Sequence, residues 1–431
     1  MKQLWKLTAA EASAALAEKS ITSEALVRAC LERIAEREPV VKAWAFVDPD
    51  MAIRSARELD KQKRRSALHG VPVGIKDVID TADMPTQHNS PIYTGHRPGQ
   101  DAACVSILRS AGAVILGKTD THEFAAGGRL AATRNPHDLT RTAGGSSTGS
   151  GAAVGDHQVP LALGTQTAGS TIRPGSFNGV FAIKPTFGTL NREGAKVYSI
   201  SLDTIGWFGR SVADLGLLAD VFAIERAPWQ ARVSVKGMKI ALCRTPYWKK
   251  ASKESKQAVE HAAEKLAKAG AKVTDLDLPK DFAALNDLQG VLMRGEGRVA
   301  FLAEYRRAYD LLHQDFRDRV ENKDKITPAE FAAAFDEIAR LRPVFDKLAA
   351  PFDALLTPSA VGEAPADLTI TGDPMFNRAW SALYAPCITI PAATGPHGMP
   401  VGVQLVGPRY ADAKLLGVAA AVAGSLGVER V

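Results

Sequence analysis

The spacing of apolar residues predicts helices in the first part of this 431-residue chain. One stripe recurs at helical spacing and consists of Leu26, Val27, Cys30, Leu31 and Ile34. Thr8 and Glu11 have the spacing of a capping box, which marks the start of a helix. We therefore expect residues 1–60 to form a helical N-terminal segment.

From residue 70 onward the pattern changes to short apolar runs that end in a glycine or a polar loop and precede helix-like segments. Four such runs are VPVGIKD, AVILGKTD, VPLALGTQT and VFAIKPT. Strands that alternate with helices are typical of an α/β fold. The chain is therefore predicted to contain a large mixed, mostly parallel sheet covered by helices on both faces.

Residues 252–348 form the most helical stretch, and we expect them to leave the sheet as a helical excursion. Thr327, Pro328 and Glu330 supply an N-cap, a first-turn proline and a third-position acid. The helix they open is expected to bury Phe331, Phe335, Ile338 and Phe345. Three apolar runs then follow, namely FDALLTPSA, PCITIPA and PVGVQLVG. Because no linker or repeat interrupts the chain, residues 1–431 are predicted to form a single domain.

Composition narrows the class of protein. Hydrophobic residues make up 46% and charged residues 23%, which is ordinary for a globular protein. The net charge of +6 is spread along the chain, and the basic cluster KQKRR at 61–65 is too small for a nucleic-acid groove. No leader-like apolar segment or window of eighteen apolar residues occurs. We expect a cytoplasmic protein with no nucleic-acid or membrane partner.

The four cysteines are scattered without the paired spacing of a metal site or a disulfide framework. They are Cys30, Cys104, Cys243 and Cys387. Reduced, buried thiols are therefore expected, as is usual in an intracellular protein.

The run AGGSSTGSG at 143–151 raises a question of chemistry. A phosphate-binding P-loop needs a lysine after its last glycine, and none is present. Gly145, Ser147 and Gly149 match the nucleophile elbow G-x-S-x-G, which needs a buried strand directly before it. The preceding TRNPHDLTRTA is polar and interrupted by proline. A plain flexible loop remains the other interpretation.

A second small-residue loop, within LALGTQTAGSTIRPGS at 161–176, follows a strand-like run directly. Thr167, Ala168 and Gly169 leave their backbone N–H groups unshielded beside Ser170. Converging N–H donors stabilise the oxyanion of acyl transfer, and one such donor is worth about 2.7–4 kcal/mol. An ordinary strand-to-helix turn has the same composition, so the residues alone leave both interpretations open.

A serine nucleophile needs a base, and a lysine can act as one when burial lowers its pKa. Lys76 ends the apolar run VPVGIKD, where burial is plausible. Most lysines are solvated, and no S-x-x-K sequence occurs, so spacing alone does not select Lys76.

Four segments, taken in order, resemble the amidase signature enzymes: GIKD, AGGSSTGSG, GTQTAGSTIRPGS and PVGVQLVG. The resemblance covers about residues 65–225 and 350–425. GTQTAGSTIRP, LDTIGWFGR and TGDPMFNRAW are similar to the malonamidase-type branch. The resemblance implies the amidase signature fold and a hydrolase that uses a Ser-Ser-Lys triad and an acyl-enzyme.

The family roles implied for this chain are specific. Ser170 would be the nucleophile, Ser146 the serine that relays its proton, and Lys76 the base. The resemblance also implies a cis Gly145–Ser146 peptide bond. The implied oxyanion hole consists of the N–H groups of Thr167, Ala168, Gly169 and Ser170.

Three positions depart from the common family pattern. Ala143 replaces a proline, Gln166 replaces an aspartate that many members carry, and Ala168 replaces a glycine. The malonamidase-like branch shares the glutamine. None of the departures removes a reacting group, although alanine at 168 would be strained if that site required a positive φ.

The resemblance implies a small-molecule amide substrate. No metal cluster or dinucleotide motif is apparent in the sequence, so we expect neither cofactor nor metal. Arg173, three residues after Ser170, could bind a carboxylate with two parallel hydrogen bonds and so favour short acidic amides such as malonamate. A structural ion pair or loop hydrogen bond is the alternative role of Arg173. Thr165 and Ser147 are the other residues expected to line the substrate site.

Three functions are compatible with these sequence features. The first is a stand-alone amidase, with esterase or aryl-acylamidase activity as a variant. The second is the catalytic subunit of a glutamine-dependent amidotransferase, which would have an obligate partner and a TDTGG loop where this chain has TQTAG. The third, an inactive relative, is disfavoured by the intact Lys76, Ser146 and Ser170. The helical N-terminus could pack against a second copy, so a homodimer is also a prediction.

Overall fold

Short apolar runs build the strands of the protein, as their length and β-branched residues predict. The computed structural model describes residues 3–431, and its eleven strands form one sheet. In chain order the strands are β1 Trp44–Val47, β2 Pro72–Lys76, β3 Val114–Thr119, β4 Leu161–Gln166, β5 Phe181–Lys184, β6 Thr204–Gly209, β7 Lys239–Cys243, β8 Lys272–Leu276, β9 Ala354–Pro358, β10 Cys387–Thr394 and β11 Pro400–Val406.

Fourteen α-helices are present among the described residues. They are α1 Ala9–Ala17, α2 Ser23–Val41, α3 Pro49–Asp60, α4 Ala103–Ser110, α5 Thr148–Gly155, α6 Ile172–Phe177, α7 Val212–Val221, α8 Lys253–Lys268, α9 Leu285–Ala300, α10 Leu302–Arg307, α11 Gln314–Val320, α12 Pro328–Ala349, α13 Met375–Ala382 and α14 Asp412–Leu426. The capping boxes predicted at Thr8 and Thr327 are confirmed. None of the helices found in residues 3–431 combines the length and the apolar character needed to cross a bilayer.

The sheet is mixed, as predicted, with the strand order β1-β3-β2-β4-β6-β5-β10-β11-β9-β7-β8. Parallel pairs do not predominate. Of the neighbouring pairs within residues 3–431, four are parallel and six are antiparallel. The reason is local to the middle of the sheet, where β10 and β11 form a hairpin and β6 pairs antiparallel with both β4 and β5.

Helices pack on both faces of the sheet, so each strand contributes side chains to two cores. In β4, Leu161 and Leu163 join one cluster while Ala162 joins the opposite one. In β9, Leu356 and Leu355 divide in the same way. This alternation follows from the period of two of a strand and gives both layers a dry interior.

The helical segments contain two strands that the sequence pattern did not reveal. Residues 1–60 include β1, and the excursion at 252–348 includes β8. These strands lie at opposite edges of the sheet, where they pair with one neighbour only. The reasons differ, because β1 (WAFV) is apolar but only four residues long, whereas β8 (KVTDL) carries two charged residues and has no fully buried side chain. Phe335 of α12 was expected inside but is 39% exposed, whereas Ile338 and Phe345 are buried as predicted.

The three apolar runs near the C-terminus rejoin the sheet as β9, β10 and β11, as predicted. All four cysteines are buried and free. Residues 1 and 2 of the predicted N-terminal segment lie outside the described residues.

Gly149, at the start of α5, tests how closely this helix approaches the sheet. A methyl group there would press on the carbonyl oxygen of Ala43 and the backbone of Asp120. We expect Gly149→Ala to lower the free energy of unfolding by about 1–3 kcal/mol, because backbone atoms cannot move aside cheaply. Urea denaturation followed by circular dichroism would measure the change.

Gly424 of α14 is the matched control, because the nearest atom to an added methyl group is Glu429 Oε1 at 3.6 Å. Gly424→Ala should leave stability unchanged or raise it by up to about 1 kcal/mol through helix propensity. Equal effects of the two substitutions would contradict the close approach at Gly149.

Candidate active site

The ends of two neighbouring strands define the site. Strands β2 and β4 run parallel, with Ile75 paired to Leu163, so their carboxyl ends lie at the same edge. Lys76 is the last residue of β2, and Gln166 is the last of β4. The loop 143–147 enters α5 beside them, because Ser147 N donates to Ser170 O at 3.3 Å. Side chains far apart in the chain thus meet at one point.

Lys76 is fully buried, and its amine contacts three hydroxyl groups. Nζ lies 2.8 Å from Ser146 Oγ, 3.0 Å from Ser147 Oγ and 2.8 Å from Thr165 Oγ1. Burial lowers the pKa of Lys76 well below its ordinary value, while the negative charge of Asp203 opposes that shift. Since no carboxylate contacts Nζ within residues 3–431, the neutral amine is favoured.

Hydrogen-bond directions around this amine are constrained. The Ser147 hydroxyl donates to the carbonyl oxygen of Thr165 at 3.1 Å, so its oxygen accepts from Lys76. A neutral amine has two N–H bonds and one lone pair. Of the two remaining hydroxyls, those of Ser146 and Thr165, one can accept the second N–H while the other donates to the lone pair.

The loop at 143–147 is held by Arg173. The Gly145–Ser146 peptide bond is cis, as the family resemblance implied. Arg173 Nη2 donates to the carbonyl oxygen of Gly145 at 2.6 Å and to Thr371 Oγ1 at 3.1 Å. The loop hydrogen bond considered as an alternative role for Arg173 is therefore present.

Two nitrogen atoms of the Arg173 guanidinium have unused N–H donors. Its Nε and Nη1 atoms are buried without a hydrogen-bond partner. Burial lowers the pKa of Arg173 to about 9, with Asp373 opposing the shift and Arg378 adding to it. Because Nη2 already donates to Gly145 and Thr371, Arg173 can offer a ligand single N–H donors but not a pair of parallel ones.

The loop between β4 and α6 offers unused N–H groups. Its carbonyl oxygens accept from distant side chains: Thr167 O from Gln289 Nε2 at 3.2 Å, and Ala168 O from Ser381 Oγ at 2.8 Å. Within residues 3–431, the N–H groups of Thr167, Ala168, Gly169 and Ser170 donate no hydrogen bond. Ala168 is not among the residues with a positive φ, so alanine causes no strain there.

Gln166 fixes this loop. Its Oε1 accepts the N–H groups of Thr171 and Ile172, both at 3.0 Å, and its Nε2 donates to Ser381 Oγ at 3.1 Å. The side chain therefore caps the start of α6, and the free N–H groups precede it.

Ser170 lies in this loop with its side chain partly exposed. Its hydroxyl makes no hydrogen bond in the part of the chain that the structure describes, including none to Ser146. Lys76 and Ser146 are thus brought into direct contact, and Ser170 is adjacent through its backbone only.

Thr165 and Ser147 were expected to line the substrate site. The structure directs both hydroxyls to Lys76, with Ser147 fully buried and Thr165 9% exposed. Both side chains therefore contact the Lys76 amine in the interior of the site.

Four further residues near the loops carry no local sequence signal. Asp203 accepts from Thr167 Oγ1 at 2.5 Å and from Tyr198 N at 2.7 Å, which anchors the free N–H loop. Gln289 and Asn377 lie against Thr167 and Gly169. His122 packs on Gly145, and burial together with Lys76 and Arg173 lowers its pKa to about 3. Their contacts join distant parts of the chain, so local spacing does not indicate them. Asp203 and Asn377 do lie within LDTIGWFGR and TGDPMFNRAW, two segments that carry the family resemblance.

A cavity of about 960 Å³ opens beside these groups. Its walls include Phe177, Thr371, Asp373, Pro374 and Arg378. Thr371 binds Arg173, and Pro374 lies against Gly169, so the cavity leads toward the loop that carries Ser170. No three His, Cys, Asp or Glu side chains in residues 3–431 come together as metal ligands.

Comparisons with known proteins agree on the family and the fold. The family described as Amidase matches residues 25–416, so the chain belongs to it. A glutamyl-tRNA(Gln) amidotransferase subunit from Chloroflexus aggregans is 32% identical over an alignment of 469 positions, which covers 97% of this chain and 96% of that protein.

Two solved structures show the same architecture over almost the whole chain. The peptide amidase of Stenotrophomonas maltophilia has a TM-score of 0.82 at 28% identity, covering 99% of this chain and 98% of that one. A glutamyl-tRNA(Gln) amidotransferase subunit from Thermotoga maritima has a TM-score of 0.82 at 29% identity, covering 97% and 94%. The predicted α/β fold with one large mixed sheet is therefore confirmed, although the sheet is not mostly parallel.

Gln166 gives a stability test of the loop. Gln166→Ala would leave the N–H groups of Thr171 and Ile172 without their acceptor in a buried position. We expect the free energy of unfolding to fall by about 1–3 kcal/mol. Thermal and urea denaturation would measure it, with Gln62→Ala as the exposed control. A loss no larger than that of the control would show that Gln166 does not hold the loop.

Proposed function

We propose that this chain, which belongs to the amidase family, hydrolyses a small-molecule carboxylic amide to an acid and ammonia or an amine. The observation that carries the proposal is the fully buried Lys76 amine, which contacts hydroxyls instead of carboxylates. A neutral amine in that position can act as a general base. A loop of free N–H groups lies beside it.

The proposed reaction begins with a proton relay. Lys76 accepts the proton of the Ser146 hydroxyl while Ser146 Oγ accepts that of Ser170. Ser170 Oγ attacks the amide carbonyl carbon, and the N–H groups at 167–170 stabilise the resulting oxyanion. The proton on Lys76 then returns through Ser146 to the leaving nitrogen, since an amide anion is a poor leaving group.

Water completes the proposed cycle. It attacks the acyl-enzyme, gives its proton to the same relay, and releases the acid together with Ser170. Rotation of the Ser170 hydroxyl about its Cα–Cβ bond, or one bridging water, would close the contact between Ser170 and Ser146.

Ser147 and Thr165 have a place in this scheme as residues that position the base. Ser147 accepts one Lys76 N–H, and we assign the second N–H to Thr165. The lone pair then faces Ser146, as proton transfer requires. Direct contact of Ser147 or Thr165 with substrate remains a prediction.

We further propose that the chain is of the malonamidase type and prefers short acidic amides such as malonamate. The support is the TQTAG sequence and the cationic Arg173 beside the loop. Carboxylate binding by Arg173 would use Nη1 or Nε and would require the segment at 371–374 to uncover them.

A second candidate function is the catalytic subunit of a glutamine-dependent amidotransferase. The relatives that carry that name, at 32% identity over nearly the full chain, favour it. The TQTAG loop, which differs from the TDTGG expected of an amidotransferase subunit, favours the stand-alone hydrolase over this candidate.

Ammonia release from a panel of amides, measured with the purified chain, tests both candidates. The panel would contain malonamate, neutral aliphatic amides, a peptide amide and glutamine. We expect hydrolysis of at least one amide without any partner, and a loss in Ser170→Ala on the order of 10⁴- to 10⁶-fold. If glutamine were the only amide hydrolysed, and if hydrolysis required an added partner complex, the result would favour the amidotransferase.

Lys76→Met tests the base. Because the neutral amine is the active form, kcat/KM should fall as pH drops through the pKa of Lys76, which lies below the ordinary ~10.4. The wild type should therefore show a rise with pH that ends at a plateau before ~10.4, and the variant should lose both the rise and most of its rate. Lys61→Met, at an exposed lysine, is the control. A variant that kept the wild-type pH profile would refute the assignment.

A further inference from the structure

Two arginines on facing helices converge beside the proposed nucleophile loop. Arg294 belongs to α9, and Arg378 belongs to α13. The point that a methyl group on Gly290 would occupy lies 3.2 Å from Arg294 Nη1 and 3.5 Å from Arg378 Nη1. The glycine therefore leaves room for both guanidinium groups over the same turn of α9.

Only one of these two cations has a carboxylate partner in the part of the chain that the structure describes. Within residues 3–431, the Arg378 side chain forms no ion pair and no hydrogen bond. Arg294 Nε lies 3.6 Å from Asp324 Oδ2, too far for a hydrogen bond, and is buried without a hydrogen-bond partner. Like charges held this close repel each other, and a bound anion would remove that repulsion.

Both helices that carry the pair also contact the free N–H loop. Gly290 follows Gln289, whose Nε2 donates to Thr167 O at 3.2 Å. Arg378 follows Asn377, whose side chain lies against Gly169. Arg378 also shares the cavity wall with Pro374, which contacts Gly169, so the arginine and the loop border the same cavity.

Arg378 can also be reached from solvent. It lines the cavity of about 960 Å³, whereas Arg173 is only 4% exposed and has its Nη2 committed to Gly145 and Thr371. The carboxylates on the cavity wall are those of Asp315, Asp373, Glu254 and Glu363. Glu363 is bound to His397 and Asp315 to the N–H of Gly128, and neither bonds to Arg378.

We propose that Arg294 and Arg378 bind a carboxylate of the substrate, so that this cavity selects amides bearing an anionic group away from the scissile bond. The inference rests on the proposed amide hydrolysis and names the residues that read the substrate charge. Guanidinium groups suit this task because their planar N–H donors match the two oxygens of a carboxylate. Arg378 makes the first contact, and Arg294 reaches the same anion from across Gly290.

The kinetic test compares succinamate with succinamide, which replaces the carboxylate by a neutral carboxamide of nearly equal size. The wild type should prefer succinamate through a lower KM. Arg378→Gln should reduce the ratio of kcat/KM for succinamate to that for succinamide by about 10- to 100-fold, mainly through KM. Arg298→Gln, which removes the same charge from an exposed position on α9, should keep the wild-type ratio.

A binding test separates this inference from the proposed reaction, because succinate is not an amide and needs no catalysis. Isothermal titration should show succinate binding to the wild type and to Arg298→Gln, and at least about 10-fold weaker binding to Arg378→Gln and Arg294→Gln. Such a result would support the pair even if no amide were hydrolysed. Equal succinate binding by all four proteins, or an unchanged substrate ratio in a folded Arg378→Gln, would overturn the inference.

Discussion

The site depends on the burial of one lysine amine without a carboxylate to pair with it. Removing an ammonium ion from water costs several kcal/mol unless an opposite charge compensates it, so burial favours the neutral form. Lys76 meets only hydroxyl groups, and these can donate to an amine as well as accept from it. The neutral form of the Lys76 amine and the proposed path for protons therefore have the same structural cause.

Lys118 shows what the surroundings contribute. It is buried as completely as Lys76 and lies on the neighbouring strand β3. Its Nζ, however, lies 3.2 Å from Asp77 Oδ1 and donates to Thr86 Oγ1 at 2.6 Å. Burial lowers the pKa of Lys118 as well, but the contact with Asp77 opposes that shift and so favours the charged form. The two buried lysines thus differ in their surroundings, because Lys118 contacts a carboxylate and Lys76 contacts only hydroxyl groups.

The loops on either side of Lys76 are fixed by polar side chains from distant parts of the chain. Gln166 caps α6, Asp203 anchors Thr167, and Arg173 holds the carbonyl oxygen of Gly145. Breaking any one of these bonds would leave a further polar group unpaired in a dry interior, which costs free energy. The N–H groups at 167–170 are thereby left as unused donors facing the site. Together with Arg378 of α13, which forms no ion pair within residues 3–431, and Arg294 of α9, whose carboxylate neighbour Asp324 is 3.6 Å away, they would suit the anionic substrate proposed above.

Local patterns in the sequence determined the helix starts at Thr8 and Thr327, most of the strands, and the two small-residue loops, because caps, turns and alternation depend on neighbouring residues. The family resemblance placed Lys76, Ser146 and Ser170 in one relay, and the structure brings the first two into contact. Only the tertiary structure decided the antiparallel pairings in the middle of the sheet, the exposed position of Phe335, and the turn of Ser147 and Thr165 toward Lys76. It also decided that Arg294 and Arg378 approach the same residue, Gly290, from two separate helices. Contacts between distant segments depend on how whole layers pack, and no short stretch of sequence records that packing.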